Sequence, residues 1–152
     1  MYHNRLIKPI APVVMGKTRH SRHINLLSEI SIHIKPVAQA RIAASVVYQN
    51  NIISIGFNQD KTHPFQKRYG KNDDAIYLHA ETHAIKNAIN KISIEKLSKS
   101  VLYICRVKIL RNKFVFGMSK PCEGCMKAIS TFDIKKVYYT LDNEGYDYLW
   151  IM

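Results

Sequence analysis

Two short motifs, 43 positions apart, constrain this chain more than any other feature. His79 and Glu81 form an H-x-E motif, and Cys122 and Cys125 form a C-x-x-C motif that Pro121 precedes. The spacing of the apolar residues predicts that each motif stands at the N-terminal end of a helix. We therefore expect the chain to bring the starts of these two helices together in one site.

The chemistry of the two motifs predicts a metal site. One imidazole and two thiolates suit Zn²⁺, and three protein ligands leave the fourth tetrahedral position open for water. The two cysteines share a helix face, and the N-terminal dipole of that helix favours thiolates. We predict His79, Cys122 and Cys125 as zinc ligands. Glu81 is predicted to be the catalytic residue that takes up and returns a proton.

A structural zinc site or a redox-active cysteine pair is the alternative interpretation. A structural site would need a fourth protein ligand, for which Cys105, His83 and His63 are candidates. The chain has three cysteines, an odd number at low density. This count disfavours a disulfide scaffold and favours metal or redox chemistry in a reducing compartment. We therefore expect a cytoplasmic protein.

Length and composition predict one globular unit. The chain has 152 residues, of which 47% are hydrophobic, and this is enough to bury a core. No apolar run reaches the roughly 18–20 residues that a membrane span requires, so we expect no membrane contact. Pro9 and Pro12 interrupt the basic and then apolar N-terminal stretch, and no small-residue cleavage site follows. We therefore expect no signal peptide.

Hydrophobic periodicity predicts the element order α β β α β α β. The predicted helices span residues 21–34, about 76–92 and 122–131, and the predicted strands span residues 41–48, 52–57, 101–110 and 136–141. Pro121 fits the first position of the third helix. Residues 58–74 are predicted to form a long surface loop. Residues 114–118 and 146–151 are two further strand candidates, and the short turn before the second requires antiparallel pairing.

The complete pattern resembles the H-x-E…P-C-x-x-C signature of zinc-dependent nucleobase deaminases. The chain is similar to the cytidine and deoxycytidylate deaminase superfamily over about residues 37–141. This resemblance implies an α/β fold, a cytidine-deaminase-like three-layer α/β/α sandwich with a mixed sheet of four to five strands. We predict a single deaminase domain over residues 1–152, whose core at about 37–141 follows a basic N-terminal segment and helix at 1–36.

The resemblance also implies a reaction and substrate contacts. Zinc would activate a water that attacks C4 of cytosine or C6 of adenine, while Glu81 would protonate the ring nitrogen and then the departing ammonia. Asn58 would bond the sugar or base, and the Ala80 N–H would contact the base. Lys61 and Lys120 are further candidates, for an anionic group of the substrate. The alternatives are a turn-forming role for Asn58 and a solvated loop around Lys61.

The charge distribution bears on the kind of substrate. The net charge is +12, and residues 1–41 hold seven Lys and Arg but a single acid, Glu29. Such an excess of positive charge attracts polyanions but does not indicate which kind of polyanion binds. A basic cluster in this region either contacts the phosphates of a nucleic acid backbone or forms a solvated helix face, and it consists of Arg19, His20, Arg22 and His23.

Three functions remain open at this point. The leading prediction is deamination of a free cytosine nucleoside or nucleotide such as (deoxy)cytidylate. One alternative is editing of cytosine or adenine in single-stranded RNA or DNA, with the basic N-terminal region holding the nucleic acid backbone. Another is a catalytically silent deaminase-fold binding protein. The resemblance implies a homo-oligomer, and the alternating Tyr146, Tyr148 and Trp150 favour a subunit contact over a base-stacking platform.

Overall fold

The computed structural model describes residues 10–61, 63–69 and 78–151. The helices are α1 (Arg19–Ser31), α2 (Pro64–Tyr69), α3 (Ala80–Ile89), α4 (Ile94–Ser98) and α5 (Glu123–Thr131). The strands are β1 (Arg41–Tyr48), β2 (Asn51–Phe57), β3 (Val101–Leu110), β4 (Lys113–Gly117), β5 (Lys136–Thr140) and β6 (Tyr146–Trp150). Within these residues, no helix has the length and apolar character needed to cross a membrane.

The described strands form one mixed sheet. Five of them lie side by side in the order β2-β1-β3-β5-β6. The sixth strand, β4, pairs with β3. β3 and β5 are parallel, whereas each of the other described pairs is antiparallel. Both strand candidates of the sequence are therefore strands, and the described sheet has six strands where four to five were expected. The antiparallel pairing of β6 with β5 agrees with the short turn between them.

Helices cover the sheet on both faces, which confirms the three-layer α/β/α fold. On one face, α1 buries Ile24 and Leu27 completely against the sheet. On the other face, α3 and α5 bury Ile85 and Ile129 completely, together with α4. Full burial of an aliphatic side chain of this size contributes about 1.5–3 kcal/mol.

The three predicted helix starts were all slightly wrong, and α1 begins at Arg19 instead of Ser21. α3 begins at Ala80, with His79 as its N-cap, and Ile76 lies outside the described residues. α5 begins at Glu123, because the Cys122 sulfur accepts the Cys125 N–H and makes Cys122 the N-cap. Pro121 therefore precedes the helix instead of occupying its first position.

The loop predicted at residues 58–74 contains a helix, so that prediction was wrong in part. Residues 62 and 70–74 lie outside the described residues, but α2 occupies the middle of the segment. Proline fits the first turn of a helix because its φ is already helical and its missing N–H has no partner there. Packing then stabilises α2, which buries Gln66 and Tyr69.

Strand β2 holds α3 in place through both packing and polar contacts. A side chain at Gly56 would collide with the backbone of α3, so the helix and strand lie unusually close. The Ser54 hydroxyl donates to the Ala84 carbonyl at 2.6 Å, and the Phe57 N–H donates to His83 Nδ1 at 3.0 Å. These contacts fix the position of the helix whose start carries the H-x-E motif.

Candidate active site

The three predicted ligands meet at the starts of α3 and α5. His79 Nδ1 lies 3.5 Å from Cys122 Sγ and 3.3 Å from Cys125 Sγ. All three ligand atoms lie within 4.8 Å of one another, and no other described residue joins the group. The structure therefore brings together the two motifs that the sequence separates by 43 positions.

The spacing of these atoms fits a tetrahedral zinc ion. Zn–N bonds of ~2.0–2.1 Å and Zn–S bonds of ~2.3 Å at a tetrahedral angle place nitrogen and sulfur about 3.5 Å apart. The two observed Nδ1···Sγ distances agree with that value to within 0.2 Å. Imidazole and thiolate are also the donor types that zinc prefers. His79, Cys122 and Cys125 are thus suited to hold the ion.

The two cysteines differ in their affinity for protons. A hydrogen bond from the Cys125 thiol, helped by His79, holds the pKa of Cys122 at about 3. The same bond, together with burial, raises the pKa of Cys125. Zinc binding would displace the proton from Cys125, because the ligands of a zinc ion must be deprotonated.

Gln66 of α2 positions the histidine ligand, a role that the sequence did not reveal. Its Oε1 accepts the His79 N–H at 3.1 Å and also the hydroxyl of Thr82 on α3. The Thr82 hydroxyl in turn lies 3.1 Å from the His79 carbonyl. This network fixes the backbone on both sides of the imidazole. Residues 58–74 show no helical periodicity, so neither α2 nor the role of Gln66 could be predicted.

Glu81 lies in the first turn of α3 and is only 6% exposed. Burial raises the pKa of this carboxyl, while its own backbone N–H and the neighbouring His79 oppose the rise. A carboxyl with a raised pKa exchanges a proton more readily near neutral pH than an ordinary glutamate. The predicted catalytic residue therefore has the environment of a proton carrier.

A cavity of about 330 Å³ opens beside these residues. His79, Glu81 and Cys122 line it, together with three of the predicted substrate-binding residues: Asn58, Ala80 and Lys120. Lys61 does not line this cavity. It borders a neighbouring hollow, with Lys35 and Asp60, and Asn58 lines both the hollow and the cavity.

Asn58 uses much of its side chain to hold the backbone. Its Oδ1 accepts the Ile42 N–H at 3.0 Å, and its Nδ2 donates to the Ala40 carbonyl at 3.0 Å. These bonds tie the end of β2 to the start of β1 at the cavity wall. The second Nδ2 hydrogen has no acceptor among the described residues, so the structural and binding roles are compatible.

A positively charged side chain that was not predicted from the sequence also borders the cavity. Arg106 of β3 borders the cavity, and its side chain packs against Gly117 of β4. Its Nε is buried and lacks a hydrogen-bond partner among the described residues. Arg106 sits inside an apolar strand, where a lone arginine gave no sign that it faces a cavity.

The candidates for a fourth zinc ligand lie elsewhere. Cys105 is fully buried on the α1 face of the sheet, where burial raises its pKa. The His83 ring accepts the Phe57 N–H, and the His63 ring accepts the Phe65 N–H. Three ligands and a neighbouring cavity match an open, catalytic type of site better than a closed structural one.

Comparison with known proteins agrees with this geometry. The family model described as "Cytidine and deoxycytidylate deaminase zinc-binding region" matches residues 17–141. The apo crystal structure of a dCMP deaminase from the cyanophage S-TIM5 has 22% sequence identity and a TM-score of 0.51, over 80% of this chain and 79% of that chain. The structure of the cyanophage enzyme in complex with dCMP and dUMP has 23% identity and a TM-score of 0.48, over 79% and 76% of the two chains. A search of curated protein sequences finds no significant match.

The fold and the site together define a deaminase of the cytidine deaminase type. The family match covers most of the chain and includes both motifs. This protein belongs to the cytidine and deoxycytidylate deaminase family.

Proposed function

We propose that this protein is a zinc-dependent enzyme that hydrolytically deaminates the cytosine of a free nucleotide such as deoxycytidylate. The observation that carries the proposal is the nearly buried Glu81 carboxyl beside His79, Cys122 and Cys125 at one cavity. Zinc bound to these three ligands would act as the Lewis acid that activates a water molecule. The family to which the chain belongs supports cytosine as the base.

The start of α3 supplies the groups that would hold and protonate the base. The His79 side chain makes no capping bond within the described residues, so the amides at the start of α3 other than that of Glu81, which bonds its own carboxyl, are available to an acceptor. The Ala80 N–H is one of them, and it can donate to the carbonyl oxygen of a pyrimidine. Glu81 follows directly, so a proton held on its carboxyl lies beside the same ring.

Two cations at the cavity favour a nucleotide over a nucleoside. Arg106 and Lys120 border it from the base of the β3–β4 hairpin and from the segment before Cys122. Neither belongs to an ion pair among the described residues. A phosphate would give the guanidinium of Arg106 a charged acceptor, and such bonds are worth about 1.5–3 kcal/mol.

The first test is product analysis by mass spectrometry. Zinc-loaded protein is incubated separately with cytidine, deoxycytidylate, adenosine, single-stranded DNA and tRNA. We expect conversion of cytosine to uracil in the mononucleotide. The control is Glu81→Gln, which should keep its zinc and lose turnover by about 10²–10⁴-fold. Conversion confined to the polymers would contradict the proposal, and the absence of ammonia release from any substrate would favour a catalytically silent protein.

The second test concerns the phosphate. Arg106→Gln should lower kcat/KM for deoxycytidylate by roughly 10–150-fold and leave kcat/KM for deoxycytidine nearly unchanged. Lys113→Gln removes an exposed cation from the distant end of β4 and serves as the matched control. Equal losses with nucleotide and nucleoside would show that Arg106 supports the fold of the cavity and does not recognise a phosphate.

A further inference from the structure

Two sequence features that the active site does not use meet on the opposite face of the sheet. The basic start of α1 lies against the aromatic residues of β5 and β6. The Thr18 hydroxyl is 3.4 Å from the Tyr146 hydroxyl, and His20 Nε2 is 3.2 Å from the Tyr138 hydroxyl. Tyr138 belongs to the buried cluster beneath α1, whereas Ala80 at the cavity belongs to the cluster on the other face.

Aromatic rings form a row along the edge of this face. In the pairing of β5 with β6, Tyr138 stands opposite Tyr148, and Lys136 stands opposite Trp150. The Tyr138 ring is 5.6 Å from that of Tyr148 and 6.0 Å from that of Tyr146. Tyr148 is 54% exposed and Trp150 is 60% exposed. Large flat side chains thus remain open to solvent at the edge strand.

Cations accompany these rings. Lys136 Nζ lies 5.2 Å from the centre of the Tyr148 ring and 5.7 Å from that of Trp150. Burial lowers the pKa of His20, and the charges of Arg19 and Lys136 lower it further, which places both cations near this histidine. Neither Arg19 nor Lys136 belongs to an ion pair within the described residues.

We propose that this aromatic–cation surface, formed by Arg19, Lys136, Tyr148 and Trp150, binds single-stranded nucleic acid. Every base has a face that can stack on an aromatic ring, and nearby cations neutralise the phosphates between bases. The alternating aromatic residues favoured a subunit contact at the level of sequence, but a second copy of the chain would bring the same cations against each other, which disfavours self-association through this surface. Because the surface and the catalytic cavity lie on opposite faces of the sheet, the proposal is independent of the substrate of the enzyme.

The single tryptophan gives a direct test. Trp150 is the only tryptophan in the chain, so its fluorescence reports on this surface alone. Addition of a thymidine 20-mer should quench the emission, because a base stacked on the indole ring quenches its excited state by direct contact. The affinity should fall as salt is added, with log K declining by about 0.7 per phosphate contact for each unit of log salt. A duplex of the same length should bind more weakly, because its bases are already stacked.

Matched variants separate stacking from charge. Binding is followed by the fluorescence anisotropy of labelled oligonucleotides of deoxythymidine and uridine. Trp150→Ser should weaken binding by roughly 5–150-fold, whereas Trp150→Phe should retain most of the affinity. Lys136→Gln should reduce the magnitude of the salt slope by about 0.7, whereas Lys91→Gln, an exposed cation after α3, should leave it unchanged. Circular dichroism and zinc content confirm that each variant is folded.

Several outcomes would overturn the proposal. One is the absence of quenching at low salt, and another is equal affinity in Trp150→Ser and the wild type. Displacement of the oligonucleotide by excess deoxycytidylate would assign the binding to the catalytic cavity instead. A concentration-dependent dimer that Trp150→Ser abolishes would show that the surface is an interface between two copies of the chain.

Discussion

Replacement of Gly56 by alanine adds one methyl group where β2 touches α3. The new Cβ would lie 2.3 Å from the Ala84 nitrogen, 2.6 Å from the Ala80 carbonyl oxygen and 2.8 Å from the His83 carbonyl carbon, whereas ordinary contact begins at 3.4 Å. All three are backbone atoms, so no side-chain rotation relieves the clash. Relief requires the helix to move away from the strand by about 1 Å, and overpacking of this kind costs about 1–3 kcal/mol.

The movement of the helix would also reach the active site. α3 carries Glu81 and begins directly after His79, whereas both cysteine ligands belong to the start of α5. A shift of α3 therefore changes the distances from His79 Nδ1 to the two sulfurs, now 3.3 and 3.5 Å. Misplacement of a catalytic group by about 1 Å can lower the rate by roughly 10²-fold. We expect Gly56→Ala to lose stability, zinc affinity and turnover together.

Three measurements check this expectation: urea unfolding, competition for zinc with a chelator, and kcat/KM for the preferred substrate. Gly117→Ala is the control for stability, because its Cβ would meet the Arg106 side chain at 3.0–3.3 Å and that flexible chain can yield. The loss of unfolding free energy in Gly117→Ala should be smaller than the loss in Gly56→Ala. The reasoning would be refuted if the free energy of unfolding of Gly56→Ala lay within about 0.5 kcal/mol of the wild-type value and its kcat/KM were unchanged.

Three further predictions concern single side chains. Asn58→Ala should destabilise the fold by about 1–3 kcal/mol in urea unfolding, because it leaves the Ile42 N–H without its acceptor; Asn58→Asp, which keeps an acceptor, should lose less. In chelator-treated protein, iodoacetamide should modify Cys122 before the two buried cysteines, and zinc should protect it, as peptide mass spectrometry would show. Burial, and then the charge of Arg19, lower the pKa of His20 below 6.5. The neutral His20 ring therefore contributes stability above pH 6.5, and this contribution is lost as the pH falls through the pKa of His20 in the folded state. The loss of unfolding free energy between about pH 7 and 5 should therefore be smaller in His20→Gln than in the wild type.

The chemical centre was predictable from the sequence because its signals are local. Side chains of metal-binding types at short spacings, each placed before an amphipathic helix, predicted that His79, Cys122 and Cys125 come together, as they do in the structure. The short turn before β6 specified antiparallel pairing, because a parallel partner would need a longer crossover. In both cases a few neighbouring residues contain the whole constraint.

The support around that centre was not predictable, because it depends on contacts between distant segments. Gln66 belongs to a helix of six residues that shows no sequence periodicity and is stabilised by packing against α3 and α5. Arg106 faces the cavity because β3 and β4 pair in one particular register, with Gly117 opposite it. Asn58 was predicted to bind substrate or, alternatively, to form a turn, and neither interpretation included its bonds to the start of β1, which depend on how the strands pair.

The attachment of the β3–β4 hairpin has a consequence for how this enzyme can diversify. The Ser119 hydroxyl lies 3.0 Å from the Ile104 carbonyl and 2.9 Å from the Thr140 hydroxyl, so the base of the hairpin is anchored to β3 and β5. Its exposed tip, at Arg111 and Asn112, lies beyond that anchor. Insertions and deletions at the tip can therefore lengthen or shorten the hairpin while the predicted metal ligands stay in register. The hairpin is a place where new surface contacts can arise without loss of the predicted metal site.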